Sequence, residues 1–84
     1  MATLRAAETA RRRMAEVLRR AGAHAIEVAQ VTRGGRKVYA VIAHFTKRPR
    51  RPLPKVIEVR SGPKTLRVPL VVRITERFRP EVPP

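Results

Sequence analysis

The segment 25–45, AIEVAQVTRGGRKVYAVIAHF, decides the fold of this chain of 84 residues. It contains two runs, Ala25–Thr32 and Lys37–Phe45, that are rich in Val, Ile, Tyr and Phe and follow the two-residue period typical of β-strands. Between the runs, Gly34 and Gly35 can both adopt the positive φ angles that a two-residue hairpin turn requires. The segment therefore predicts an antiparallel hairpin over residues 24–45.

The glycine turn also fixes the register of this hairpin. One face would pair Ile26 with Ala43, Val28 with Val41 and Gln30 with Tyr39. The other face would hold Glu27 among small apolar side chains, namely Ala25, Ala29, Val31, Val38, Ala40 and Ile42. Because neither face is clearly polar, we expect another chain to cover part of the second face, in a homodimer or with an obligate partner.

The residues before this hairpin predict an amphipathic helix over 4–21. Apolar side chains recur there at spacings of three and four, at Leu4, Ala7, Ala10, Met14, Val17, Leu18 and Ala21. Thr3 can cap the start of the helix and Gly22 can end it. The opposite face is rich in arginine, and the pairs Glu8–Arg12 and Glu16–Arg20 have the i, i+4 spacing of ion pairs.

After the first hairpin, residues 46–54 read TKRPRRPLP. Three prolines and four basic residues in nine positions predict an extended basic connector instead of a helix.

Residues 55–77 predict a second hairpin, with strands at Val56–Arg60 and Leu66–Arg77 around a four-residue loop. This loop length places Val59 opposite Leu66, Ile57 opposite Val68, and Glu58 opposite Arg67 on the solvent side. The even-numbered positions from 66 to 74 are apolar and would point one way, while Arg67, Arg73, Thr75 and Arg77 would point the other way. Pro69 removes one ladder donor, so we expect an open edge near the middle of the last strand.

Together these segments predict an α+β fold, with an N-terminal helix packed on a four-stranded, mainly antiparallel sheet made of two hairpins. A chain of this length has room for a single core, so we expect one domain over residues 1–79. Residues 80–84 form a proline-rich tail.

The composition leaves little from which an active site could be built. The chain contains no Asp, Asn or Cys, only one Ser and only two His, so we expect no enzyme activity and no cofactor. His24 and His44 come near each other across the first hairpin, with Glu27 close by, which is a donor set that metals use. Their spacing matches no ligand motif, however, and we expect ordinary residues at the strand ends.

The charge is the strongest functional indication in the sequence. Twenty Lys and Arg face six acids, for a formal net charge of +14, and such a field attracts polyanions. Basic residues cluster on the helix, at the hairpin tip and in the connector. The candidate nucleic-acid-binding residues are Arg12, Arg13, Arg19, Arg20, Arg33, Arg36, Lys37, Lys47, Arg48, Arg50 and Arg51.

These clusters predict a non-catalytic module that binds DNA or RNA through backbone phosphates, directly or as a subunit of a nucleoprotein assembly. The alternative is a protein-interaction or structural module that docks on an acidic partner or self-associates through its sheet. No zinc-ligand or helix-turn-helix pattern indicates base reading, and Tyr39, Phe45 and Phe78 are too few for a stacking platform. The apolar stripe of the helix is mostly Ala, so we expect no membrane partner. No apolar stretch approaches the roughly 20 residues of a membrane-spanning helix, and a cytoplasmic location is the default expectation.

Parts of the sequence resemble a small α+β module that precedes some bacterial trypsin-like peptidase domains. The resemblance lies in the leading helix, His24–Val28, Gly35, Val38–Ile42, the basic stretch ending Leu53-Pro54, and Val68–Val72. It covers most of residues 5–76. It implies an accessory or interaction module, and it brings no catalytic residues to this chain.

Overall fold

Five elements follow one another along residues 3–49 and 51–75, which are the residues that this computed structural model describes. They are α1 (Leu4–Arg20), β1 (Ala23–Arg33), β2 (Arg36–Phe45), β3 (Val56–Ser61) and β4 (Lys64–Ile74). The strands form one mixed sheet in the order β1-β2-β4-β3, with α1 packed on one face. The predicted α+β fold of one helix on a four-stranded sheet is thus confirmed.

Helix α1 begins and ends where its capping residues predict. The Thr3 hydroxyl accepts a hydrogen bond from the Ala6 amide at 3.1 Å, and Gly22 leaves the helix at a φ of 110°. The residues of α1 that are buried against the sheet are Ala6, Ala7, Ala10 and Leu18. Two predicted members of the apolar stripe remain exposed: Leu4 is 45% and Val17 is 50% accessible. The buried face of α1 is therefore narrower than the apolar stripe that the sequence predicts.

The first hairpin has the predicted register. Ile26 is opposite Ala43, Val28 opposite Val41 and Gln30 opposite Tyr39. Gly34 and Gly35 have φ angles of 57° and 76°, which makes the turn possible without strain. The strands are slightly longer than expected, and a bulge at His24 separates Ala23 from Ala25.

The second hairpin also has the predicted register, with Val59 opposite Leu66 and Glu58 opposite Arg67. Its turn is tighter than expected, because Ser61 pairs with Lys64 and only two residues remain in the loop. Strand β4 ends at Ile74, so Thr75, which was predicted to continue it, is not part of the strand. The last two predicted strand residues, 76 and 77, lie outside the described residues.

The two hairpins are joined by a parallel ladder between β2 and β4, which the sequence did not indicate. This ladder runs from the pair Val41–Leu70 to the pair Phe45–Ile74, so it starts directly after Pro69. The amide of Thr75 donates to the carbonyl of Phe45, so the odd-numbered amides of β4 point towards β2. Pro69 is the odd-numbered position that has no amide hydrogen, so the ladder begins only after it.

The core lies between α1 and the sheet. Leu18, Val41, Phe45 and Val68 are almost completely buried in it, together with Ile57, Val59 and Leu70. Ala40 and Ile42 are also buried but lie outside this cluster, on the sheet face away from α1. The second face of β2 is therefore shielded from solvent at its centre.

The positive φ of Gly35 generates a stability prediction. A Cβ at this position would meet no atom within 4 Å, so only backbone strain opposes a side chain. Replacing Gly35 with Val is expected to destabilise the protein by about 1–2 kcal/mol, because a β-branched residue resists the left-handed region. Gly35→Asn is the matched control and should cost less, because Asn tolerates that region. Equal melting temperatures for the Val variant and the unchanged protein would contradict the turn geometry.

Candidate nucleic-acid interface

The structure brings basic residues of the helix and the connector together at the end of α1. Arg20 and Arg51 line one cleft of about 480 Å³, which is bounded by Val17, Ala21 and the segment 52–54. Lys47 and Arg48 line a second cavity of about 230 Å³ that shares Ala21 with the first. We call Arg20, Lys47, Arg48 and Arg51 the basic junction. All four side chains belong to exposed residues, so they are accessible to a polyanion.

Two features of the local fold hold the basic junction together. The positive φ of Gly22 lets the chain turn sharply from α1 into β1, and the ring of Phe45 packs beside it at the end of β2. In the connector, Leu53 is partly buried and packs against the core. The prolines on either side of Leu53 restrict the backbone, so this one apolar side chain fixes the path of the basic segment.

Ion pairing leaves most of the positive charge available. Four of the six acids lie in the described part of the chain, at Glu8, Glu16, Glu27 and Glu58. Within that part, the predicted pair between Glu16 and Arg20 forms at 2.7 Å, and both side chains are more than 70% exposed. The predicted pair between Glu8 and Arg12 does not form. An exposed pair of this kind is weak, so Arg20 remains able to exchange its partner for a phosphate.

The other predicted basic residues lie in two separate places. Arg33, Arg36 and Lys37 are exposed at the tip of the first hairpin, where Arg33 pairs with Arg36 across the turn. Because β1 has 11 residues, this tip lies about 33 Å along the strand from the basic junction. The structure therefore does not bring the tip and the junction into one cluster.

The arginines along α1 form the third group. Arg12, Arg13 and Arg19 are all exposed. Arg12 borders a groove of about 430 Å³ beside β1, and Arg19 borders a smaller cavity next to it. Arg50, the remaining candidate, lies outside the described residues.

Further basic residues lie on the second hairpin. Arg60, Arg67 and Arg73 are exposed, and the alternation along β3 and β4 directs them to the face away from α1. The sequence does not single them out as candidates, because they are isolated along the chain and not clustered. The alternation of β4 was the pattern that could have identified Arg67 and Arg73.

The two histidines lie close together, with ring centroids 6.3 Å apart. His44 Nε2 is 3.7 Å from Glu27 Oε1, and the Thr75 hydroxyl is 3.3 Å from His24 Nε2. Within residues 3–49 and 51–75, no three His, Cys, Asp or Glu side chains are arranged to hold a metal ion. The His24 ring is thus within hydrogen-bond distance of Thr75, and the His44 ring faces Glu27.

Comparison with known proteins gave no relative: no family model, no curated protein and no solved structure matches this chain. The one helix in the described part of the chain does not have the length and apolar character needed to cross a membrane.

The burial of Leu53 generates a prediction about the connector. Replacing Leu53 with Ala should release the connector from the core and make the bond between Lys47 and Arg48 more accessible to trypsin, which does not cut before the prolines that follow Arg48 and Arg51. Leu4→Ala is the control, because Leu4 is also apolar but is exposed at the other end of α1. We expect faster cleavage of the connector only in the Leu53 variant, measured by mass spectrometry. Unchanged cleavage in that variant would show that Leu53 does not hold the connector.

Proposed function

We propose that this chain is a non-catalytic module that binds nucleic acid through its backbone phosphates, with the basic junction as the principal contact. The observation that carries this proposal is the convergence of Arg20, Arg51, Lys47 and Arg48 around Ala21 from two distant parts of the sequence. Arg presents two parallel donors to a phosphate, and Lys presents a point charge. Clustering four such groups at one place favours a ligand with closely spaced negative charges.

The second basic surface is the hairpin tip of Arg33, Arg36 and Lys37. Its distance of about 33 Å from the basic junction is close to one turn of a B-form duplex, which is about 34–36 Å. A duplex lying along the first hairpin could therefore contact both surfaces with phosphates one turn apart. This distance favours a double-stranded ligand over a short single strand.

The aromatic residues support phosphate contact over base reading. Phe45 is buried in the core, and Tyr39 is half-buried against it. Neither ring is free to stack on a base, and Phe78 lies outside the described residues. Binding would thus be electrostatic, with little dependence on the nucleotide sequence.

Salt dependence tests the proposal most simply. If five or six phosphates are neutralised on duplex DNA, the logarithm of the affinity should fall with log salt at a slope near −5, since each contact contributes roughly −0.9. Replacing both Arg48 and Arg51 with Ala should make the slope shallower by about two units and weaken binding to all duplex sequences alike.

The matched control removes the same charge from another place. Arg60 and Lys64 are exposed at the turn end of the second hairpin, outside the proposed interface. Their replacement by Ala should change the slope by less than about one unit. Equal effects of the two double variants would show that nucleic acid is attracted by the overall positive charge of the protein and not by a defined interface. Affinity no tighter than roughly 10⁻⁴–10⁻⁶ M at physiological salt, for duplex and RNA alike, would contradict the proposed function.

The alternative is a protein-interaction module that docks on an acidic partner. It predicts feeble binding to nucleic acid at physiological salt and retention of the partner by the Arg48 and Arg51 double variant, unless the connector lies in that interface. The basic junction is equally accessible to an acidic protein, so the salt titration and the partner experiment together separate the two functions.

A further inference from the structure

Strand β1 forms one edge of the sheet, with β2 on its other side. Alternate residues of a strand direct their backbone groups to opposite sides. The carbonyl of Ile26 faces away from β2, because it accepts a hydrogen bond from Arg11 Nε at 3.2 Å. The backbone groups of Val28, Gln30 and Thr32 share this direction and face the open edge.

Within residues 3–49 and 51–75, this edge lacks the devices that usually protect an edge strand from pairing. Such devices are charged side chains, prolines, bulges and covering elements. In β1 the bulge is at one end, at His24, and Arg11 covers only the Ile26 carbonyl. The segment 28–32, VAQVT, contains no charge and no proline, and its residues include the half-buried Val28, Ala29 and Val31. It is therefore a surface on which another strand can pair.

We propose that a second copy of this chain pairs with β1, antiparallel and centred on Gln30. In this register Gln30 is opposite Gln30 of the partner subunit, and Val28 is opposite the partner's Thr32. Glu27 is then opposite the partner's Arg33, and by symmetry Arg33 is opposite the partner's Glu27. Both members of each charge pair are odd-numbered residues of β1, so they lie on the same face of the extended sheet.

Charge complementarity selects this register over its neighbours. Two neighbouring registers also keep the outward backbone groups facing each other. The register centred on residue 29 places Arg33 opposite the partner's Ala25, and the register centred on residue 31 places it opposite the partner's Ala29. Both opposite-charge pairs are then lost. Only the register centred on Gln30 brings the single acid of β1 to the basic end of the partner strand.

The end of the proposed ladder also agrees with the structure. Ile26 would be opposite Gly34 of the partner subunit, where the hairpin turns and strand pairing stops. The Ile26 carbonyl is the group that Arg11 already satisfies. The groove of about 430 Å³ beside Ile26 and Val28 provides space for the partner's glycine turn, and its wall carries Glu8 and Glu27 as well as Arg11 and Arg12.

Charge reversal tests this register by sedimentation of the full chain without nucleic acid. Glu27→Arg places like charges opposite each other twice in the dimer, and so does Arg33→Glu. Each single variant should weaken dimerisation about tenfold or more. The double variant has the original net charge and both pairs reversed, so its dimerisation should return to within about threefold of the unchanged chain. Dimerisation of the unchanged chain should also strengthen with salt, which screens the repulsion between two chains of charge +14.

Amide hydrogen exchange gives a readout that needs no variant. The amides of Val28, Gln30 and Thr32 should become slow to exchange as the protein concentration rises, while those of Glu27 and Ala29 are already protected by β2. The proposal is overturned by a chain that stays monomeric at millimolar concentration, by a double variant as weak as the single ones, or by fast exchange of these three amides in the dimer. An acidic peptide that protects them in a monomeric chain would likewise show that the edge serves another partner. None of these outcomes depends on binding to nucleic acid.

Discussion

The short parallel ladder between β2 and β4 is the constraint on which the rest of the structure depends. It covers only the pairs from Val41–Leu70 to Phe45–Ile74, and it is the only strand pairing between the two hairpins in the described part of the chain. Pro69 limits it on the N-terminal side of Leu70, because the missing amide of Pro69 would have pointed towards β2. Helix α1 completes the connection by packing small alanine side chains against both hairpins. A narrow stripe of contacts thus joins two hairpins whose own pairing is local.

The position of the ladder determines where the basic residues lie. Because β4 lies between β2 and β3 in the sheet, the chain must cross β4 on its way from the end of β2 to the start of β3, and this crossing is the connector. Leu53 packs against the core, so the connector passes the end of α1 and its basic side chains meet Arg20. The tip of the first hairpin lies at the other end of β1, and no strand in the described part of the chain pairs with the outer side of β1. The strand order therefore determines the positions of the basic junction, the hairpin tip and the open edge of β1.

Sequence patterns predicted the local structure well and the pairing between hairpins poorly. Both registers follow from short turns and a two-residue period, which neighbouring residues encode, and both are confirmed. The parallel pairing of β2 with β4 depends on which apolar edges meet after the chain has folded, and no local motif records that choice. The clustering of the basic junction could not be predicted from the sequence either, because it too depends on contacts between distant parts of the chain. Each of its residues belongs to a charge cluster that the sequence shows. Their proximity depends on the packing of Leu53, one apolar residue among prolines and arginines.

The most direct measurement of the proposed interface is a nuclear magnetic resonance titration of the labelled chain with a duplex of about 16 base pairs, long enough to span one helical turn. Phosphate binding at the proposed surfaces predicts shift changes concentrated at Arg20, Lys47, Arg48 and Arg51 and at the tip residues Arg33–Lys37, with β3 largely unchanged. Shift changes spread evenly over all exposed basic residues, or confined to the second hairpin, would contradict the proposed interface. An absence of shift changes at physiological salt would contradict nucleic-acid binding itself.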